Sequence, residues 1–209
     1  LACPASRFIN NRMEMEKTDY RHYLAVVSKN IKTLAMLVPT RNFAVIKTFS
    51  SYTHTTHDID VVVKSNVNVI KLKQLLDREL GQDNIIDLHD HVSWTGSAEI
   101  SDEFFWSHLM LHKTGVQVPD TALDALIRIA HIPFETGSIR FGELLHIFRL
   151  LKKADISVIE KEANRCGWGK TFQRMRSLLE KLHTQLFLEN RSRLTFPYHI
   201  PLTILIAAV

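Results

Sequence analysis

The segment His57-Asp58-Ile59-Asp60-Val61-Val62-Val63 sets two carboxylates two residues apart in an otherwise apolar run. Side chains of a strand alternate between faces. This spacing therefore puts Asp58 and Asp60 on one face with Val62, and sends Ile59, Val61 and Val63 into a core. The valine run predicts a central strand rather than a solvated edge strand carrying harmless acids. Adjacent like charges repel, and burying them without partners is costly. A divalent cation answers both problems, because hard ions prefer carboxylate oxygen. A second apolar run, Ile85-Ile86-Asp87-Leu88-His89, is interrupted by one more acid. If the two runs are neighbouring strands, Asp87 joins Asp58 and Asp60, and three such carboxylates can hold two metal ions about 3.5–4 Å apart. That chemistry suits in-line phosphoryl or nucleotidyl transfer, with one ion activating the attacking hydroxyl and the other neutralising the leaving pyrophosphate.

Histidines surround these acids. His54 and His57, and His89 and His91, have spacings that also suit zinc. No Cys joins them, and eleven His make chance pairs common, so His57 and His89 read better as lining a nucleotide pocket. His131 stands four residues before Glu135, as a helix-face pair or a site residue. Lys170, Arg174, Arg176, Lys181, Arg191 and Arg193 make the last helix and tail basic. That pattern reads as a solvated face or, alternatively, as a contact for RNA or nucleotide.

Periodicity supplies the elements that must position these groups. Tyr20, Tyr23, Leu24, Val27, Ile31, Leu34 and Ala35 predict a helix over 14–37, ended by Pro39. Strands are expected at 43–48, 57–64 and 84–90, with a polar link at 50–56. A helix over 66–80 lies between the last two strands and is closed by Gly81. Residues 107–112 and 115–118 predict a hairpin around Thr114-Gly115. Beyond Pro119 the pattern is helical only. Asp120 or Thr121 caps a helix carrying Ala122, Leu123, Leu126, Ile127, Ala130 and Phe134 inward. Further helices are expected over 141–153 and 155–165, the latter stopping at Cys166-Gly167. A last helix carries a stripe from Trp168 to Leu186, which reads as core. The expected class is α+β: a small mixed sheet with flanking helices over 1–118, then an all-helical bundle over 119–209.

The Asp-Ile-Asp strand followed by Ile-Asp-Leu-His resembles the nucleotidyltransferase superfamily built on the DNA polymerase β-type palm. Trp94, Asp102-Glu103-Phe104-Phe105-Trp106, Gly115-Val116-Gln117-Val118-Pro119, Leu126-Ile127-Arg128-Ile129-Ala130-His131 and Phe141-Gly142-Glu143-Leu144-Leu145 extend the likeness. Together these are similar to uncharacterised prokaryotic, often archaeal, nucleotidyltransferase-like proteins, over roughly residues 40 to 200. The resemblance implies transfer of a nucleoside monophosphate from an NTP to an acceptor hydroxyl on RNA, protein or another molecule, with Mg2+ or Mn2+. Asp58 and Asp60 would bind both metals, and Asp87 would bind the catalytic one and help deprotonate the acceptor. The superfamily usually places Gly-Ser or Gly-Gly on the turn before the first acidic strand, where the missing Cβ lets backbone amides approach the triphosphate. Here the turn reads Lys47-Thr48-Phe49-Ser50-Ser51. Lys47 would meet phosphate as a point charge, and Thr48, Ser50 and Ser51 complete the expected nucleotide contacts along with His57 and His131. The missing glycine also admits a second reading: a non-catalytic, antitoxin-like protein of the same fold, paired with a toxin-like helical partner.

Composition sets outer bounds. Of 209 residues, 45% are hydrophobic and 23% charged, which excludes a disordered or low-complexity chain. Seven Gly and six Pro leave few obligatory turns and favour helix. A net charge of +4 suits a polyanionic partner such as a nucleotide. Two distant cysteines, Cys3 and Cys166, argue against a disulfide framework and for a reducing, cytoplasmic setting. Leu1-Ala2-Cys3-Pro4 does not read as a signal peptide. The apolar stretch 200–209 is too short for a membrane span and is expected to be a docking strand or a helix start.

Overall fold

The computed structural model of the chain describes residues 4–48, 58–94, 98–184 and 199–201. Among these the fold is α+β, with seven α-helices and a five-stranded mixed sheet. Helix α1 (Pro4–Leu37) starts earlier than periodicity predicts. It buries Val27, Ile31, Leu34 and, just past its end, Val38, while Leu24 stays 45% exposed. A short 3-10 turn leads into strand β1 (Phe43–Val45), and β2 (Ile59–Val63) follows. The expected polar link at 50–56 lies outside the described residues. Helix α2 (Val69–Leu80) is capped by Asn68, whose side chain accepts from Lys71 N at 2.9 Å. It ends at Gly81, whose φ of +58° is readily adopted only without a Cβ.

Strand β3 (Ile86–His89) comes next, followed by the antiparallel pair β4 (Val92–Trp94) and β5 (Ala98–Ile100). A short helix α3 (Asp102–Ser107) leads to the hairpin of β6 (Leu109–Leu111) and β7 (Gln117–Pro119). Helix α4 (Thr121–His131) is capped by Asp120, which accepts from Leu123 N at 2.9 Å. It runs on into a π-helical turn at Ile132–Thr136. The chain continues through β8 (Ser138–Arg140), α5 (Phe141–Leu151), α6 (Ile156–Arg165) and α7 (Gly169–His183). Strand β9 (His199–Pro201), at the start of the apolar stretch, pairs antiparallel with β8. No helix among the described residues is long and apolar enough to cross a membrane.

The sheet runs β3-β2-β1-β7-β6. The β2/β3 and β1/β7 pairs are parallel, and β1/β2 and β6/β7 antiparallel. Alternation along the strands divides it into two faces. Phe43, Val45, Ile59, Val61, Val63 and Ile86 pack with Leu34 of α1 and Leu72 and Leu76 of α2. Ala44, Ile46 and Val62, on the opposite face, share a core with Leu123, Leu126 and Ile127 of α4 and with Trp168 and Phe172 at the start of α7. The expected division at residue 118 thus falls between elements that contribute to one continuous core.

Two buried polar links fix the layers. Asn30 of α1 is fully buried, donates to Asp83 O at 2.8 Å and accepts from Ile85 N at 3.1 Å, so it pins the start of β3. Glu162 of α6 is buried and accepts from Ser101 Oγ at 2.7 Å, Ser101 N at 2.9 Å, Arg165 Nε at 2.8 Å and Cys166 Sγ at 3.3 Å. This closes α6 onto the segment that caps α3. Nearby, the Trp168 indole N–H donates to Glu99 O at 3.0 Å.

Candidate active site

The parallel register of β2 and β3 sets Asp60 directly opposite Asp87, and Val62 opposite His89. Asp60 shares its side of the sheet with Val62, the side on which Val62 packs with the C-terminal helices. His89, two residues beyond Asp87, falls on that side too. Its Nε2 lies 3.3 Å from Asp60 Oδ1 and 3.4 Å from Asp87 Oδ2. Asp60, Asp87 and His89 each offer one ligand atom, and the three atoms lie within 4.8 Å of one another.

Lys47 completes the group. Its ammonium sits 3.0 Å from Asp60 Oδ2. The lysine ends up there because β1 stops at Val45 and the chain turns sharply. Ile46 N–H still donates to Asp60 O at 3.0 Å, and Thr48 N–H then reaches back to Ile46 O at 2.7 Å across Lys47. This three-residue turn holds Lys47 at φ +62°, the left-handed region, where it is the only described residue other than glycine. The turn that lacks glycine in sequence therefore still adopts a conformation glycine prefers, with a lysine in it.

Helix α4 reaches the same turn. Arg128 is 2% exposed, and its Nη2 donates to Lys47 O at 3.0 Å. Its Nε donates to Asp124 Oδ1 at 2.8 Å, and Nη1 lies 3.4 Å from Glu143 Oε1 of α5. His146 Nε2, also buried, is 3.1 Å from Asp124 Oδ2. His131, one turn further along, has Nδ1 2.7 Å from Glu135 Oε2 but off the hydrogen-bond direction, which leaves that buried nitrogen without a formed bond.

Electrostatics follow from this geometry. Burial alone would raise the Asp60 carboxyl, but the hydrogen bond with His89 and the Lys47 charge outweigh it and hold Asp60 below its ordinary value. The bond to Asp60 raises His89, against burial and with help from the Asp87 charge. Burial lowers His131, and the charge of Lys47 lowers it further, against Glu135 and Glu143. His131 therefore stands neutral at pH 7 within the field of Lys47.

Of the residues expected from sequence, the structure brings together Lys47, Asp60 and Asp87, with Thr48 beside them in the turn and His131 near Lys47. Asp58 precedes β2, is exposed and is not in the group gathered within 4.8 Å. Ser50, Ser51, His57 and His54 lie outside the described residues. His91 pairs with its neighbour Asp90, Nδ1 to Oδ1 at 2.5 Å, and not with His89. Of the basic stretch, Lys170, Arg174 and Lys181 are exposed on α7, and Arg176 bonds to Glu180 at 2.7 Å. Arg191 and Arg193 are outside the described residues.

In sequence, His89 was placed at a nucleotide pocket without being joined to the aspartates, and Arg128 was missed. His89 as a partner of both aspartates was readable from its i+2 spacing to Asp87. Arg128 carried only the weak signal of an i,i+4 pair with Asp124, which by itself reads as a helix-surface pair. Two carboxylates and an imidazole gathered in this way could hold one metal ion. Compared with known proteins, the chain matches no family model, no curated protein and no solved structure.

Proposed function

We propose that the protein is a metal-dependent nucleotidyltransferase that moves a nucleoside monophosphate from an NTP to an acceptor hydroxyl. The observation that supports this reading is the register-paired Asp60 and Asp87, joined by His89 and Lys47 on the sheet side that packs with α4. Asp60, Asp87 and His89 would hold Mg2+ or Mn2+. The chemistry such an ion supplies when bound is a lower pKa for the acceptor hydroxyl and neutralisation of phosphate charge.

The chain's own groups do the rest. Asp60 is largely buried and ionised, so it is a fixed anion, whereas Asp87 is half exposed and open to the acceptor. Asp87 takes the proton from the hydroxyl as its oxygen bonds to the α-phosphorus and the bond to pyrophosphate breaks. Lys47, held beside Asp60, meets the phosphate oxygens as a point charge. His131, neutral and next to Lys47, adds a hydrogen-bonding group without adding repulsion. Positioning and charge neutralisation carry most of the rate in such a reaction.

The test is transfer from α-labelled NTPs to RNA, to protein and to the chain itself, with Mg2+ or Mn2+. Asp87→Asn should abolish product while sparing much of the NTP affinity, and Lys47→Ala should weaken NTP binding and turnover together. Absence of product with every acceptor and both metals overturns the reading.

One observation favours the non-catalytic alternative. Lys47 and His89 already occupy both oxygens of Asp60, and Asp58 is not gathered in. A binding or antitoxin-like protein would retain NTP without product and would co-purify with a protein partner.

A further inference from the structure

Lys47 is held in a backbone conformation that a lysine adopts at a cost, and such conformations persist only where the surroundings over-determine them. Two hydrogen bonds fix this one. Thr48 N–H to Ile46 O closes the turn from within. Arg128 Nη2 to Lys47 O, at 3.0 Å, holds it from another element. Arg128 is an unusual anchor because its side chain is 2% exposed and every nitrogen of its guanidinium has an oxygen opposite it: Asp124, Glu143 and the Lys47 carbonyl. A guanidinium presents its donors in a rigid fork, so fixing Nε on Asp124 and Nη1 toward Glu143 leaves Nη2 only one direction. Asp124 is itself held from its far oxygen by His146.

We infer that Arg128 is a positioning residue that clamps the Lys47 turn in its left-handed form and so aims the Lys47 ammonium at Asp60 and at a bound phosphate. The phosphate clause rests on the nucleotidyltransferase reading; the clamp itself does not. A lysine at 128 keeps the positive charge beside Asp124 and Glu143 but lacks the fork, so it cannot hold all three oxygens. Lys47 would then relax to negative φ, and the Thr48 amide would lose its bond. A glycine at 47 is content at positive φ and needs no clamp.

The experiment is site-resolved amide hydrogen exchange without ligand on four chains: the native protein, Arg128→Lys, Lys47→Gly and the double variant. Arg128→Lys should speed exchange at Thr48 about tenfold or more in the native background and less than about threefold in the Lys47→Gly background, with the α4 amides unchanged in both. Equal acceleration in the two backgrounds, or acceleration spread along α4, overturns the clamp and leaves Arg128 a merely structural ion. Should Arg128→Lys not fold, Glu143→Gln, on a side chain 19% exposed, is compared in the same two backgrounds, and equal acceleration there overturns the proposal as well. ATP with Mn2+ supplies the second arm. Its affinity should fall in Arg128→Lys but not fall again when Arg128→Lys is added to Lys47→Gly. A native protein that binds no ATP sinks the nucleotide reading while leaving the exchange result to decide the clamp.

Discussion

Asp124 carries more of the molecule than its place on a helix suggests. Burial disfavours its charge, yet His146 and Arg128 hold its carboxyl below the ordinary value of 3.8. A carboxyl depressed by folding contributes stability that is complete above its unfolded pKa and is lost as pH falls through the folded one. Thermal melts should therefore show Asp124→Asn destabilised by about 3 kcal/mol at pH 7, because Arg128 is left buried with less counter-charge. The gap to the native protein should narrow steadily below about pH 4. A gap constant from pH 7 to pH 3 would mean Asp124 is not the ionised partner. Asp60 and Asp87 were legible in sequence because an acid in an apolar strand has little reason to be there except chemistry. Arg128 was not, because an arginine in a helix is ordinarily exposed, and only the fold shows that it points inward at a backbone carbonyl of β1's turn.

At the scale of elements, β3 is placed by a residue of α1. Asn30→Ala would remove the bonds that tie Asp83 O and the part-buried Ile85 N–H to α1, at a cost of about 1–2 kcal/mol. Urea titration should show that loss, and metal affinity should fall with it, since Asp87 is the second residue of that strand. A variant that loses stability but binds Mn2+ as well as the native chain would separate the strand's anchor from the site. Asp120→Ala tests α4 in the same way and should cost about 1 kcal/mol as a lost N-cap. Strands β2 and β3, helices α2, α4, α6 and α7 and the β6/β7 hairpin were all readable, because their apolar periods are long or their caps explicit. The β4/β5 hairpin and α3 were not, since three-residue strands and a six-residue helix carry too little period. Helix α5 was found: Leu144 is buried, and Phe148 and Leu151 pack partly buried against the core, but His146, Ile147 and Leu150 turn inward as well. The inward histidine belongs to the Asp124 pair, which no helical period reveals.

The whole molecule should behave as one unit, because one core runs from Ala44 and Val62 of the sheet to Leu179 and Leu182 of α7. Circular dichroism and tryptophan fluorescence should report a single coincident urea transition. Two midpoints would support the expected division near residue 118. A divalent ion that binds only the folded chain should stabilise it by about 2.7 kcal/mol at a hundred times its Kd. Differential scanning with Mn2+ should show that rise in the native protein and none in Asp60→Asn/Asp87→Asn, whereas equal rises would move the ion elsewhere. The closure of α6 onto the cap of α3 has a consequence in redox chemistry. Burial and the Glu162 carboxylate push the Cys166 thiol up to about 11, so at neutral pH about one molecule in ten thousand carries the nucleophilic thiolate. Peroxide and alkylating agents should react with it slowly for as long as that seam stays shut. In a Cys3→Ser background, the rate of iodoacetamide labelling thus becomes a clock for the opening of the seam, and Glu162→Gln should make it run faster.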